Sequence, residues 1–337
     1  MSGIKYKIIV LIICATVFFA PACTQARRTE PPTPEPAPQQ QQEEQQEKPP
    51  IPRTLGGTSG REPRLRVYIK EEDRVRDMAF EEYVAGVVGG EIKNDWPMEA
   101  LKAQAIIART FVLKFVEEKG RSKYGNAHIS TDIEEAQAWN MEAVNERIRQ
   151  AVNETRGLVM IYEGEYVNAW FHSNAGGKTA TAEEGLNYKD GNPPYIQTVN
   201  SPDDSPMIPA DEKNWTAVFS KDRVLKAVGE IGKPLEDFSK ISIGERGPSG
   251  RALDIKLDTV SVPAPDLRIA LGSTEMKSTL LDEVRLEGDK VIFKGRGYGH
   301  GVGMSQWGAY NMAKQGKKAR DIIHHYFKDI EIVKMWP

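Results

Sequence analysis

Residues 80–115 run FEEYVAGVVGGEIKNDWPMEALKAQAIIARTFVLKF, and their pattern decides how the rest of the chain is read. Phe80, Tyr83, Val84, Val87 and Val88 recur at the spacing of one helix face, and Gly89-Gly90 is expected to stop that helix beside Glu91. Trp96-Pro97 opens a second helix, with Leu101, Ala105, Ala108, Val112 and Phe115 as its buried stripe and Gly120 after its last turn. A short turn joins the two.

Working outward, Leu65, Val67 and Ile69 alternate with charged residues as a half-buried strand does. A third helix is expected through Val144, Ile148, Ala151 and Val152, stopping near Gly157. From Leu158 the pattern turns to strands, Leu158 to Tyr162 and Tyr166 to Phe171, around a turn at Glu163-Gly164. Residues 196–290 mix short strands, proline-rich loops and one amphipathic stretch at Val224 to Val228. Val291-Ile292-Phe293 then precede a glycine-dense loop at 295–303, and helical segments close the chain. Helices first and strands later predict an α+β fold in one large domain, with room for a smaller, mostly β subdomain around 196–290.

The 337 residues carry a formal charge of −3, with 28% charged and 39% hydrophobic side chains. Without an arginine-rich arm or lysine cluster, nucleic acid is not an expected partner. At the N-terminus, Lys5 and Lys7 precede an uncharged run from Ile8 to Ala20, and Ala20-Pro21-Ala22 supplies small residues before Cys23. Residues 1–23 thus read as a secretory leader, with lipidation at Cys23, plain cleavage and an uncleaved anchor all open. Each of them puts the bulk of the chain outside the cytoplasmic membrane, the first and last tethering it there. Residues 24–62, rich in Pro, Gln and Glu, are expected to form a disordered linker. The domain at 63–337 contains no cysteine, so it has neither a disulfide nor a thiolate ligand.

Glu91 is the leading candidate for chemistry. A carboxylate at the C-terminal end of an apolar helix faces the negative end of the helix dipole, which raises its pKa toward what a general acid needs. A surface glutamate at a helix end is the plainer reading. Lys102 and Arg109, nearly two turns apart, would share one helix face about 10 Å along the axis, by default a solvated stripe and otherwise substrate contacts beside Glu91. Gln104 lies off that face. Ser173 and Asn174, in Phe171-His172-Ser173-Asn174-Ala175-Gly176-Gly177, lie where a loop could present polar groups to a sugar, and no nucleophile elbow surrounds the serine. The loop from Gly295 to Gly303 fails the dinucleotide spacing and has no phosphate-loop Lys. Its glycines around His300 allow close backbone approach, or simply a tight turn. Ser305, Gln306 and Trp307 then add donors and an aromatic plane. His128 stands alone, and His324-His325 belong to a terminal helix, so no metal or other cofactor is expected.

Three blocks in order resemble the sporulation stage II protein D family, whose domain is shared with amidase-enhancer proteins. They are Tyr83 to Val88 with Glu91 and Trp96 to Thr110, then Phe171 to Gly177, then Gly295 to Ala309. The resemblance covers most of residues 64–330. It implies a lytic transglycosylase acting on peptidoglycan glycan strands, with Glu91 as sole catalytic carboxylate and the family's motif Lys and Arg at Lys102 and Arg109. Gln104, Ser173, Asn174, His300, Ser305 and Gln306 complete the expected substrate-binding set. Relatives that use zinc have His and Cys ligands in the segment corresponding to His128 through Trp139; here Ala136 precedes Gln137 and no cysteine is present. The resemblance also implies a cell-wall amidase as partner. The competing expectation is a non-catalytic glycan-binding enhancer of such an amidase.

Overall fold

The computed structural model describes residues 48–57 and 60–337. The leader, Cys23 and most of the expected linker lie outside the described residues. The packed chain starts earlier than the expected boundary at 62, because Ile51 and Leu55 are buried in the first hydrophobic core. These two apolar side chains stand isolated among prolines and polar residues, and burying them offsets the cost of ordering the stretch.

The order of elements is mixed α+β, as the periodicities predict. β1 (Arg64–Ile69) and β2 (Arg74–Ala79) form an antiparallel hairpin, with Leu65, Val67 and Ile69 buried on one face. α1 (Phe80–Glu91) and α2 (Met98–Lys119) follow, and β3 (Ile129–Ser130) adds to β1 in parallel. α3 (Glu146–Glu154) begins one residue after Asn145, whose side chain accepts the Ile148 N–H and caps the helix. β4 (Leu158–Tyr162) pairs with β5 (Glu165–Tyr166). The second expected strand stops at Tyr166. Phe171 and His172 form a separate strand, β6 (Phe171–His172).

α4 (Ala182–Leu186) and α5 (Ala210–Lys213) lead into a region with its own core. β7 (Asn214–Ser220), α6 (Lys221–Glu230), β8 (Ile241–Ile243), β9 (Asp254–Leu257), β10 (Val260–Pro263), α7 (Ala264–Leu271), β11 (Leu281–Glu287) and β12 (Lys290–Arg296) make two antiparallel sheets, ordered β11-β12-β7 and β10-β9-β8. Trp215, Phe219, Phe238 and Phe293 fill the core between the sheets and helices. The chain then returns through β13 (Met304–Ser305), parallel to β6, and through α8 (Gln306–Lys314) and α9 (Ala319–Tyr326) to β14 (Glu331–Lys334), which pairs with β4.

Two details of the decisive stretch position the site. First, α2 is covered on two sides. Leu101, Ala105, Ala108 and Val112 enter the first core, while Ala103, Ile106 and Ile107 enter a second core with α8 and α9. Second, Gly89-Gly90 does not end α1, which runs through both glycines to Glu91. Gly86, Gly89 and Gly90 lie three and four residues apart, so they line one face of the helix. The segment at 138–140 lies against that face. A Cβ at Gly90 would stand 2.6 Å from the Ala138 carbonyl carbon, and one at Gly86 would stand 2.2 Å from Trp139 Nε1. The glycines are there for close approach.

Candidate active site

Glu91 is the last residue of α1 and lines a cleft of 520 Å³. Its lining comes from the turn after α1, including Asn94 and Trp96, and from Ser173, Glu212, Gln306 and Trp307. The segment laid on the glycine face brings the Ala138 N–H to 2.7 Å from Glu91 Oε1, to which it donates. Gln306 Nε2 donates to Glu91 Oε2 at 3.5 Å, and the same nitrogen is 3.4 Å from Gln104 Oε1. The first residue of α8 therefore joins Glu91 to the buried Gln104 of α2.

Burial pushes the Glu91 carboxyl up to about 7, against the opposing pull of the hydrogen bonds from Ala138 and Gln306. The direction matches the expectation from the helix end, but removal from water is the leading cause. Among the described residues no cation pairs with it. At neutral pH such a group is divided between acid and carboxylate forms, so it can give a proton and take one back.

Trp307 shares the aromatic wall with Trp96, ring centroids 4.7 Å apart, and with Tyr310 at 5.4 Å. These rings are almost wholly buried against one another, with Trp307 only 3% exposed, so they brace the cleft and leave its polar groups to meet a ligand.

The structure gathers only part of the expected residue set. Glu91, Ser173 and Gln306 line the cleft, and Gln104 stands behind it at 0% exposure, where it can hold Gln306 but cannot touch a substrate. Arg109, also 0% exposed, points away into the core. Its guanidinium meets both carboxylate oxygens of Glu81 at 2.6 to 3.2 Å and donates to the Leu158 carbonyl at 2.8 Å. Lys102 is held by Glu99 at 3.0 Å and by Glu154 of α3 at 2.6 Å. Neither cation lines the cleft, because α2 is packed on both sides and its charged residues are taken up by internal partners.

Three further expected contacts are structural. Asn174 pairs in a bridge with Tyr298, and its Oδ1 accepts the Gly176 N–H at 2.7 Å. Ser305 is buried, donates to Asp203 at 2.7 Å and caps α8 by accepting the Gly308 N–H. His300 packs 5.6 Å from His172, accepts the Val302 N–H on Nδ1, and is held neutral by burial and the charges of Arg268 and Arg251, its pKa pushed down to about 3. The glycine-dense loop is thus a tight turn around a satisfied histidine. In the segment associated with zinc in relatives, buried His128 accepts the Arg66 N–H on Nδ1, and Ala136 cannot ligate. Among the described residues no group of three or more His, Cys, Asp or Glu side chains is placed to hold a metal ion, so these residues do not fit a zinc centre.

Two contributors were not foreseen. The Ala138 N–H is a backbone donor and leaves no residue-type signal. Glu212 lies in an ordinary polar stretch, 121 residues beyond Glu91 (212 − 91), and nothing near it in sequence singles it out.

The fold and the cleft define an α+β protein with a half-buried, protonatable carboxylate in a cleft braced by packed aromatic rings. Residues 68–162 match the family described as Stage II sporulation protein, and residues 210–303 match one described as a domain of unknown function (DUF8618). The chain is 32% identical over 260 residues to an uncharacterized protein of Brachyspira hyodysenteriae, covering 77% of this chain and 68% of that protein. It is 31% identical over 300 residues to Stage II sporulation protein D of Bacillus amyloliquefaciens, covering 83% of each. The Amidase enhancer of Bacillus subtilis is 26% identical over 72% of this chain and 39% of its own length. The chain belongs to the Stage II sporulation protein D family.

Proposed function

We propose that this protein is a lytic transglycosylase that cleaves peptidoglycan glycan strands between N-acetylmuramic acid and N-acetylglucosamine. The observation that carries the reading is the half-buried Glu91 carboxyl in the cleft, raised to about 7 by loss of water, with no cation among its hydrogen-bond partners in the described residues. Protonated Glu91 donates to the bridging oxygen, and the C1–O bond breaks through an oxocarbenium-like transition state. The Glu91 carboxylate then takes the proton from the C6 hydroxyl of the same muramic acid, whose oxygen bonds to C1 and leaves a 1,6-anhydro end. Because the nucleophile belongs to the substrate, the reaction needs no second carboxylate to activate water.

The leader supports placing the domain outside the cytoplasmic membrane, tethered at its N-terminus, in wall remodelling linked to sporulation. A relative named Amidase enhancer supports a cell-wall amidase as partner and, as a second reading, a role as a glycan-binding enhancer that does not cut. Mass spectrometry of purified glycan strands incubated with the protein separates these readings. Anhydro-ended fragments that disappear with Glu91→Gln are expected; their absence with both proteins sinks the enzyme and favours the enhancer.

A further inference from the structure

Glu212 lines the cleft that holds Glu91, and nothing above gives it a task. The residues around it hold it firmly. Ile208 is 3% exposed in the first core and Trp215 is 5% exposed in the third, so the span carrying α5 is anchored in two cores at once. Between them, Asp211 pairs with Lys277, whose Nζ also donates to the Asp211 carbonyl at 3.1 Å. A carboxylate fixed at both ends of its segment is placed, not merely tolerated.

Its hydrogen bonds give a direction. Glu212 Oε2 accepts from Ser173 Oγ at 2.6 Å and from the Trp307 indole N–H at 3.3 Å, and both donors line the cleft. Among the described residues no cation pairs with this carboxylate, and no hydrogen bond goes to Oε1. One oxygen orients the hydroxyl and the indole plane, and the other remains to accept from a ligand. Carboxylate oxygens accept strongly from sugar hydroxyls and acetamido N–H groups, since one partner is charged. The geometry points to Glu212 as the saccharide-binding carboxylate of this cleft. Oε1 accepts from a hydroxyl or acetamido N–H of an N-acetylated sugar lying in the cleft. Residues 210–303, matched only as a domain of unknown function, would through Glu212 supply one wall of the glycan site.

This inference rests on the cleft's being a glycan site and names a contact within it, but its test does not require cleavage. In the Glu91→Gln protein, where proton transfer is removed, binding of a β-1,4-linked N-acetylglucosamine tetramer is measured by calorimetry with and without Glu212→Gln. The isosteric amide still accepts from Ser173 and Trp307 but can turn a donor toward the sugar. Affinity is expected to fall about tenfold or more while the melting temperature stays unchanged. Equal affinities overturn the assignment, as does failure of the Glu91→Gln protein to bind the tetramer. A loss of binding that only tracks a lower melting temperature also counts against it, since the carboxylate would then serve packing. Should Glu212→Gln weaken binding while no anhydro ends form with the wild-type protein, the sugar contact stands and the transglycosylase reading falls.

Discussion

α1 carries a glutamate near each end, Glu81 buried and Glu91 half-buried at the cleft, and the two ends have been put to opposite uses. Near the N-terminus, Glu81 is saturated: Arg109 donates to both of its oxygens, Gly157 N–H at 3.0 Å and Trp336 Nε1 at 2.9 Å add to Oε1, and only 7% of the residue is exposed. At the C-terminus, Glu91 receives one short backbone hydrogen bond and one long amide bond, with no cation among its partners. A carboxylate saturated by a guanidinium and further donors is held in structure; one removed from water without such a partner is driven toward its acid form. The pairing, not the residue type or its burial, separates a structural glutamate from a chemical one.

The largest expected effect breaks the Glu81 end. Arg109→Ala leaves a buried carboxylate without its cation and is expected to cost about 3–5 kcal/mol, read as a lower denaturation midpoint, with activity per folded molecule retained. If Arg109→Ala instead kept its stability and lost only cleavage, the contrast between the two ends would collapse. Breaking the other end should do the reverse. Glu91→Gln is expected to lower glycan cleavage by roughly 10²–10⁴-fold with the fold intact, measured as anhydro ends released per hour.

The pH dependence sharpens the comparison. If Glu91 is the acid, kcat/KM should fall as pH rises through about 7, the region where its carboxyl loses the proton. Stability follows the same titration. The folded state keeps the proton between the ordinary value of 4.5 and about 7, so stability from this group declines as pH rises through that window. Glu91→Gln lacks this penalty and should be more stable than wild type at pH 8, on the order of 1–2 kcal/mol, with the difference shrinking toward pH 5. Equal melting curves at both pH values would contradict the burial assigned to Glu91. The smallest effect belongs to Lys102→Ala. Its ion pairs with Glu99 and Glu154 are partly exposed, so less than about 1 kcal/mol is expected, with cleavage unchanged.

The sequence made Glu91 legible through its place at the end of an apolar helix, and two residues of the cleft, Ser173 and Gln306, through the blocks that hold them. Arg109 was misread because the stripe Leu101, Ala105, Ala108 and Val112 made α2 look one-sided. The correction was present in Ala103, Ile106 and Ile107, which are apolar on the other side. A helix apolar nearly all round is buried nearly all round, and a cation on it needs an internal partner. Gly89-Gly90 was read as a stop because glycine favours helix ends, whereas its lack of a side chain was what mattered. Glu212 had no local signal. Its place depends on Ile208 and Trp215 entering different cores, a tertiary fact.

The strand of chain resting on the glycine face has a consequence for how this protein can drift. The donor holding Glu91 is the peptide N–H of residue 138, so no exchange of one ordinary side chain for another at that position removes it. Proline alone lacks the hydrogen. Lineages could therefore vary at 138 while the three small residues beneath it, at 86, 89 and 90, stay locked, since any added carbon would lift the donor off its acceptor. Selection on the proton-holding contact would be written in the helix that receives the segment and would leave almost no trace in the segment itself.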